Sequence, residues 1–377
     1  MDYAPKGVKF YYMYKALAHP ELDGYVNPFT LKERLMHVKE AQRTLGSKIT
    51  WLCDGMDNDA KHALGNRPNS EFVIDPDGVI VRARMWSDPN QLRADLEEFV
   101  GTVEKPTRVE DLDMKTASPP KVAALGVVPR VSMPGGMRAV KIEPKMGETP
   151  FYAKLRAEVT QDVLRSGSGT MYLGFHLDPL YHVHWNNLAE PIRFELKAPE
   201  GMTVTPSVGI GPEVDVESDI DPREFLVEMS NASFDVPMEL SVYYFACNDE
   251  AGWCIPVTQT YAIRLEVDRD GGQARRSGGN GFGRQRGGFN RRGSGFGGGG
   301  GFAGRGGFGA NQSPEMMVER MLLMGDWDGD DRISRDEAPE QMLRQFERMD
   351  ANGDGFADKD ELMQMTQRQL QRQPQPR

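Results

Sequence analysis

The sequence predicts a multidomain α+β protein. Strand and helix patterns alternate over roughly the first 100 residues, seven short β-rich runs follow, and two acidic twelve-residue loops lie near the end. A length of 377 residues suits two or three domains of ordinary size. We predict an α/β domain over 1–102, a linker over 103–134, a β-sandwich over 135–268, a Gly/Arg-rich linker over 269–313 and a helical pair over 314–377.

Composition excludes several classes of protein. The chain has only 3 cysteines, which excludes a disulfide-dense scaffold and a four-cysteine zinc site. No run approaches the ~18 apolar residues of a membrane-spanning helix, and the first residues carry no signal-peptide pattern. We therefore expect no membrane span in this chain.

The first domain follows the order β-α-β-α-β-β-α. Val8–Lys15 is a β-branched and aromatic run, which predicts a buried strand. Thr30 followed by Glu33 is the capping-box pattern of a helix start, and Gly46 is typical of a helix end. The later elements are predicted at 48–54, 58–65, 70–86 and 89–101. This order is that of a truncated thioredoxin-like fold, which lacks its first strand and first helix.

Three motifs in this domain resemble the iodothyronine deiodinases. AHPELDGY (Ala18–Tyr25) is similar to the EAHPSDGW motif of that family. DGMDN (Asp54–Asn58) and RPNSEFVIDPDG (Arg67–Gly78) are similar to its later segments, in the same order. The resemblance implies an active-site histidine at His19 and a cis proline at Pro68. The family's nucleophile lies between its first strand and first helix, a segment that this sequence does not include.

Seven β-rich runs separated by turn residues predict an immunoglobulin-like β-sandwich. They are RAVKIEP (138–144), YAKLRAEVT (152–160), TMYLGFHLD (170–178), IRFELKAP (192–199), FLVEMSN (225–231), ELSVYYFACN (239–248) and QTYAIRLEV (259–267).

Two cysteines end one of these strands and begin the next. Cys247 and Cys254 have six residues between them, so both sulfurs can meet at the tip of a hairpin. This segment and FHLDPLYHVHWNN (175–187) resemble the N-terminal periplasmic domain of the DsbD-type thiol:disulfide interchange proteins. The resemblance implies a redox pair that exchanges electrons with a thioredoxin-like or other thiol-bearing protein in the periplasm or another extracytoplasmic compartment. The alternative is a structural disulfide that closes the loop.

The remaining cysteine and a group of histidines are weaker candidates. Cys53 lies in a strand-forming run and is expected to be an ordinary buried thiol. His182 and His184 alternate, so they would share a strand face, with His176 close in sequence. The resemblance of HVHWNN to the DsbD-type domain accounts for them without a metal ion.

The segment 271–313 has an unusual composition. It holds 19 of the 41 glycines, 7 arginines and 5 phenylalanines, and no acidic residue, Leu, Ile or Val. Such a composition cannot form a packed core, so the sequence predicts a disordered linker. Arg-Gly-Gly and Phe-Gly repeats can also bind RNA. Because no RNA-binding module is visible, we favour a tether and do not expect a nucleic-acid partner.

Two segments near the end fit the twelve-residue EF-hand loop, whose positions 1, 3, 5, 7, 9 and 12 supply oxygen ligands to Ca²⁺. The predicted ligands are Asp326, Asp328, Asp330, the Arg332 carbonyl, Ser334 and Glu337 in the first loop, and Asp350, Asn352, Asp354, the Phe356 carbonyl, Asp358 and Glu361 in the second. Position 6 requires glycine for a sharp turn, and Gly355 meets this requirement whereas Asp331 does not. Ile333 and Ala357, at position 8 of each loop, predict a short strand pairing.

Three functions are compatible with these observations. The first is a calcium-binding extracytoplasmic protein that exchanges electrons through Cys247 and Cys254. The second is a calcium-dependent binding or scaffold protein with a structural disulfide, for which a methionine-rich helix face would hold a partner. The third is a deiodinase-like reductive dehalogenase, whose nucleophile is absent from this chain.

Overall fold

The computed structural model describes residues 2–18, 20–21, 24–64, 69–108, 111, 126–134, 137–272, 314, 317–318, 321–322, 332–335, 338, 340–343 and 345–371. The protein is mixed α+β, with one large β-sheet assembly. It divides into two compact units, Met1–Arg275 and Arg276–Arg377, each of which is treated separately below. Within the described ranges, no helix is long and apolar enough to cross a membrane. The predicted disordered linker lies outside these ranges from residue 273 to residue 313.

The first part of the larger unit has the element order that the sequence predicts. Its elements are a 3-10 turn (Ala4–Lys6), β1 (Tyr11–Tyr14), α1 (Leu31–Leu45), β2 (Thr50–Cys53), α2 (Asp59–Ala63), β3 (Glu71–Ile74), β4 (Ile80–Arg84) and α3 (Pro89–Val100). Strands β1 and β2 pair in parallel, whereas β3 and β4 form a separate antiparallel hairpin.

The capping box predicted at the start of α1 is present. The Thr30 hydroxyl accepts a hydrogen bond from the Glu33 amide at 3.1 Å, and the Glu33 carboxylate accepts one from the Thr30 amide at 3.2 Å. Gly46 ends the helix with φ = 58°, a left-handed conformation that glycine adopts without steric cost.

The burial predicted for the first strand is wrong. Tyr11 and Tyr12 of β1 are 54% and 46% exposed. Among the described strands β1 pairs only with β2, and a two-stranded sheet leaves both faces of its strands largely uncovered. The aromatic pattern predicts strand pairing correctly, but burial depends on the layers that pack against the strand.

The second part of the larger unit is built almost entirely of strands. They are β5 (Met137–Lys145), β6 (Ala153–Thr160), β7 (Gly169–Leu177), β8 (His184–Asn186), β9 (Arg193–Lys197), β10 (Thr203–Thr205), β11 (Val208–Ile210), β12 (Ser218–Asp219), β13 (Arg223–Ser230), β14 (Met238–Asn248) and β15 (Trp253–Val267). A short helix, α4 (Gln161–Ser166), joins β6 to β7, and a 3-10 turn (Pro179–Tyr181) precedes β8. All seven predicted runs are strands.

These strands form one hydrogen-bonded path in the order β10-β13-β7-β6-β5-β15-β14-β8-β12, and β9 joins β14 to β11. Strand β5 links the two halves of the path, because its first residues pair with β6 and its later residues pair with β15. The halves share one apolar core: the ring of Phe194 in β9 lies 4.9 Å from that of Phe225 in β13 and 6.4 Å from that of Phe175 in β7.

Part of the predicted linker packs against this assembly. The carboxylate of Asp221 accepts hydrogen bonds from the amides of Gly126, Val127 and Val128 at 2.6–3.0 Å. Val128 is buried. Residues 126–128 therefore belong to the folded unit, and the sequence pattern did not indicate this.

A buried charge cluster joins α1 to β6. The ammonium of Lys154, 3% exposed, forms ion pairs with the carboxylates of Glu33 and Asp178. Burial lowers the pKa of Lys154, whereas the two carboxylates oppose that shift. Burial also disfavours the charged form of Glu33, but Lys154 and the surrounding donors hold the pKa of Glu33 below its usual value. Charges on β6 and on α1 thus neutralise each other inside the unit.

A buried histidine gives the same region a predictable response to pH. His37 Nδ1 and the Tyr14 hydroxyl share a hydrogen bond of 2.6 Å, and burial lowers the pKa of His37 to about 4 from 6.5. The unfolded chain therefore binds a proton below pH 6.5 that the folded protein excludes until about pH 4. We expect stability that is present above pH 6.5 to fall by up to about 3 kcal/mol as the pH drops to 4.

The difference between His37→Gln and the wild type isolates this contribution, since other titrating groups are common to both. We expect the free energy of unfolding in urea, measured from pH 7 to pH 4, to fall less in the variant than in the wild type. Parallel pH profiles for His37→Gln and the wild type would contradict the assignment.

The smaller unit contains helices and one pair of short strands. Its described elements are β16 (Arg332–Ser334), α5 (Glu340–Leu343), α6 (Phe346–Met349), β17 (Phe356–Asp358) and α7 (Lys359–Gln371). Strands β16 and β17 are antiparallel and place Ile333 opposite Ala357, as predicted. Both side chains are fully buried in a second apolar cluster with Phe346, Met349 and Leu362.

Candidate functional site

Two of the three cysteines of the larger unit form a disulfide at the end of the longest hairpin. Cys247 in β14 lies directly opposite Cys254 in β15, and the two residues are bonded. The Asn248 side chain accepts a hydrogen bond from the Ala251 amide at 2.8 Å, and Gly252 turns the chain with φ = 69°. The sulfurs therefore meet at the hairpin tip, as the spacing predicts.

The two sulfur-bearing residues differ in accessibility. Cys254 is exposed, whereas Cys247 is 5% exposed. At the level of the disulfide β14 has β15 on one side and β8 on the other, whereas the pairing of β15 with β5 begins only at Thr260. An incoming thiolate would therefore reach the Cys254 sulfur first.

Two polar side chains of β8 lie beside the disulfide. His184 is directly opposite Cys247, and its Nε2 contacts the Asp249 carboxylate at 3.1 Å. The Asn186 side-chain amide donates a hydrogen bond to the Cys254 Sγ at 3.3 Å. Strand β8 thus places His184 opposite the buried cysteine and an amide donor next to the exposed one.

A cavity of about 250 Å³ adjoins the same strand. Trp185, Asn186 and Tyr244 contribute to its wall, and its lining includes Glu190 and Asp215, both exposed. Asn186 therefore contacts both this cavity and the Cys254 sulfur, and the two carboxylates favour positively charged groups near the cavity.

The hairpin is also connected to the first part of the unit. The Tyr181 hydroxyl donates to the Glu33 carboxylate at 2.9 Å, and the Tyr181 carbonyl accepts from the Asn248 amide at 3.1 Å. The rings of Tyr152 and Trp253 lie 5.5 Å apart. Helix α1 and the disulfide hairpin are therefore linked through one short loop.

The three histidines predicted to lie close together are not arranged as expected. His182 follows the 3-10 turn with φ = 54° and is not in a strand, so it does not share a strand face with His184. His176 is buried in β7, 3.4 Å from the Tyr172 hydroxyl. Among the described residues, no group of three His, Cys, Asp or Glu side chains forms a metal-binding cluster.

The remaining candidates of the first domain are only partly described. His19 and Pro68 lie outside the described residues. Cys53, at the end of β2, is half-buried, and burial raises the pKa of its thiol. A raised pKa reduces the thiolate fraction at neutral pH, so Cys53 is a poor nucleophile.

The second predicted calcium loop is fully described. The Asp350 carboxylate accepts the amides of Gly353, Asp354 and Gly355 at 2.7–3.1 Å. The Glu361 carboxylate, 8% exposed, accepts the Asn352 amide at 2.9 Å and so folds back over the start of the loop. Gly355 has φ = 91°, the conformation for which position 6 requires glycine.

All predicted ligands of this loop are oxygen atoms of carboxylate, amide or carbonyl groups, which Ca²⁺ prefers. In the described conformation, however, its Asp and Glu side chains do not form a group that could hold a metal ion. In the first loop, only Arg332 and Ser334 of the predicted ligands are described. Asp326, Asp328, Asp330 and Glu337 lie outside the described residues. The Arg332 guanidinium stacks 4.5 Å from the Phe356 ring, which ties the two loops together through β16 and β17.

No protein-family model matches the chain, and a search of curated proteins finds no match. Function must therefore be inferred from the geometry above.

Sequence reasoning missed Asn186, Asp249 as a partner of His184, and the charge cluster around Lys154. Asn186 lies within the segment that carries the DsbD-type resemblance, but only the pairing of β8 with β14 brings it to the sulfur. The contact between the Asp249 carboxylate and His184 likewise depends on the pairing of β8 with β14.

Proposed function

We propose that this protein is a calcium-binding thiol–disulfide oxidoreductase of an extracytoplasmic compartment. The observation that carries the redox proposal is the unequal exposure of the two bonded cysteines at the hairpin tip, with Cys254 exposed and Cys247 buried. Thiol–disulfide exchange needs a sulfur that an incoming thiolate can reach, and the exposed Cys254 meets this requirement.

The reaction would proceed in two exchange steps with a dithiol partner. A partner thiolate attacks the Cys254 Sγ, the bond between the two cysteines breaks, and Cys247 leaves as a thiolate that takes up a proton. The partner's second thiolate then attacks the partner's first sulfur, which is bonded to Cys254 in the mixed disulfide, and Cys254 leaves as a thiolate. The partner becomes a disulfide, and its two electrons reside on Cys247 and Cys254.

The surroundings of the pair support a protein partner with basic groups. The cavity beside Asn186 carries the exposed carboxylates of Glu190 and Asp215. Opposite charge near the attacked sulfur speeds the encounter and orients the partner. We infer a thioredoxin-like or other thiol-bearing partner whose reactive cysteine has basic neighbours.

We propose further that the smaller unit binds Ca²⁺ through an EF-hand pair. The ligands of the second loop would be Asp350, Asn352, Asp354, the Phe356 carbonyl, Asp358 and Glu361, and the closed conformation of this loop supports that assignment. Bound Ca²⁺ would neutralise the carboxylates and stabilise the pairing of β16 with β17.

The finer fold assignments belong to the same proposal. We propose that the strands from β5 to β15 form an immunoglobulin-like sandwich, supported by the two halves that face one core. The parallel pair β1–β2 and the element order support a thioredoxin-like domain without its first strand and helix, although the hairpin β3–β4 is not in the same sheet as β1 and β2. A deiodinase-like activity would require a nucleophile beyond the residues of this chain.

Single-cysteine variants test the redox proposal. In a Cys53→Ser background, Cys247→Ser leaves the exposed thiol, and Cys254→Ser leaves the buried one. Each variant would be mixed with a thioredoxin-like protein that carries one cysteine activated as a thionitrobenzoate mixed disulfide. We expect Cys247→Ser to release thionitrobenzoate at least about tenfold faster than Cys254→Ser, because the attacking thiolate must be accessible.

Equal, slow release by both variants in folded protein would contradict the proposal. A reduction potential of the wild-type pair below about −300 mV would also contradict it and would favour a structural disulfide.

A further inference from the structure

We propose that Asn186 is a catalytic residue of the disulfide, because it stabilises the thiolate of Cys254. This inference rests on the proposed redox function and adds a residue that the cysteine pattern does not contain. The evidence is the contact between the Asn186 side-chain amide and the Cys254 Sγ, 3.3 Å apart.

The second hydrogen bond of Asn186 fixes which end of its side chain faces the sulfur. Its Oδ1 accepts the amide of Leu188 at 3.0 Å, so the NH₂ group points toward Cys254. Asn186 is the last residue of strand β8, whose backbone is held by pairing with β14 and β12. The donor is therefore held in place before any partner binds.

A fixed donor acts on the sulfur when the sulfur is charged. A hydrogen bond to an anion is stronger than one to a neutral group, so Asn186 favours the Cys254 thiolate over both the thiol and the disulfide. In the second exchange step Cys254 is the leaving group, and a stabilised thiolate leaves faster. Cys247 has a different neighbour, His184, held by Asp249. The two sulfurs thus differ in polar environment as well as in exposure.

Alkylation of the reduced protein tests this role without any protein partner. In the full chain with Cys53→Ser, the rate of iodoacetamide addition at Cys254 would be followed by mass spectrometry from pH 5 to pH 9. We expect Asn186→Ala to raise the pH midpoint of the rate by about one unit, which means a rate at neutral pH lower by about tenfold. Asn186→Asp should raise the pH midpoint further, because a carboxylate oxygen replaces the hydrogen-bond donor.

Leu188→Asp is the control. Leu188 is 78% exposed. Leu188→Asp therefore adds the same negative charge as Asn186→Asp, two residues further along the chain, and leaves the contact between Asn186 and Cys254 intact. We expect only a small shift of its midpoint. An Asn186→Ala profile that superimposes on the wild type would overturn the inference, as would equal shifts in Leu188→Asp and Asn186→Asp.

The two proposals fail in distinguishable ways. If alkylation of Cys254 depends on Asn186 as described but the disulfide oxidises no thioredoxin-like partner, the redox function fails, and Asn186 stabilises the thiolate without being catalytic. If the partner is oxidised but the pH profile of alkylation is the same with and without Asn186, only the role of Asn186 fails. Far-ultraviolet circular dichroism of each variant would show that the comparison is made on folded protein.

Discussion

Replacement of Lys154 by methionine is expected to lower the free energy of unfolding by about 3–5 kcal/mol. The ammonium group is buried, and it neutralises the carboxylates of Glu33 and Asp178, which are 4% and 1% exposed. Its Nζ also lies 4.9 Å from the centre of the Phe29 ring. Methionine fills a similar volume but leaves two acidic groups without a counter-charge, which is far more costly than the loss of one exposed ion pair.

The matched control is Lys145→Met. Lys145 forms an ion pair with Glu239, but both side chains are about half exposed, and we expect a loss of less than about 1 kcal/mol. Urea unfolding of each full-length variant, followed by tryptophan fluorescence, gives the comparison. Adding Glu33→Gln to Lys154→Met should recover part of the loss, because it removes one of the stranded charges. Equal stability of the two lysine variants would show that the cluster around Lys154 does not hold α1 against β6.

Calcium is expected to have an effect of similar size on the smaller unit. At 1,000 times its dissociation constant, Ca²⁺ should raise the free energy of unfolding by about 4 kcal/mol. Glu361→Gln should weaken binding to the second loop at least tenfold, because glutamine cannot supply the two charged oxygens of position 12. Isothermal titration calorimetry measures the affinity, and thermal unfolding with and without Ca²⁺ measures the stability.

Asp360→Asn is the control for this experiment. Asp360 is exposed, adjoins Glu361 and occupies no ligand position, so the variant removes one charge and should bind Ca²⁺ nearly as well as the wild type. If the wild-type chain gives no heat of binding at millimolar Ca²⁺, the calcium proposal is wrong. If Asp360→Asn and Glu361→Gln weaken binding equally, general charge rather than coordination accounts for the affinity.

Elements with a strong local signal could be predicted from the sequence. The capping box of Thr30 and Glu33, the seven β-rich runs and the pairing of Ile333 with Ala357 all occur where their patterns place them. Each depends on contacts between residues that are near in sequence or on a simple alternation. The hairpin disulfide belongs with them, because strand and turn patterns already bring Cys247 and Cys254 together.

The burial of the charged side chains on β6 could not be predicted in the same way. Lys154, Arg156 and Glu158 alternate with apolar residues along β6, a pattern typical of a strand with one face in water. All three are buried, and Arg156 lies 3.6 Å from Glu21 of the preceding domain. Burial raises the pKa of Glu21 to about 7. No local sequence pattern indicates that another part of the chain will cover a charged strand face.

The sequence alone determined most of the strands and helices, although not the short strands β8, β10, β11 and β12 or helix α4, and it identified the cysteine pair and the candidate calcium ligands. These features depend on local backbone preference, alternation and residue spacing. Only the tertiary structure decided that Cys254 is exposed and Cys247 buried, that Asn186 faces the exposed sulfur and that β1 remains uncovered. Accessibility and cross-strand contacts depend on which strands become neighbours, and neighbours such as β8 and β14 are separated by some 50 residues of chain.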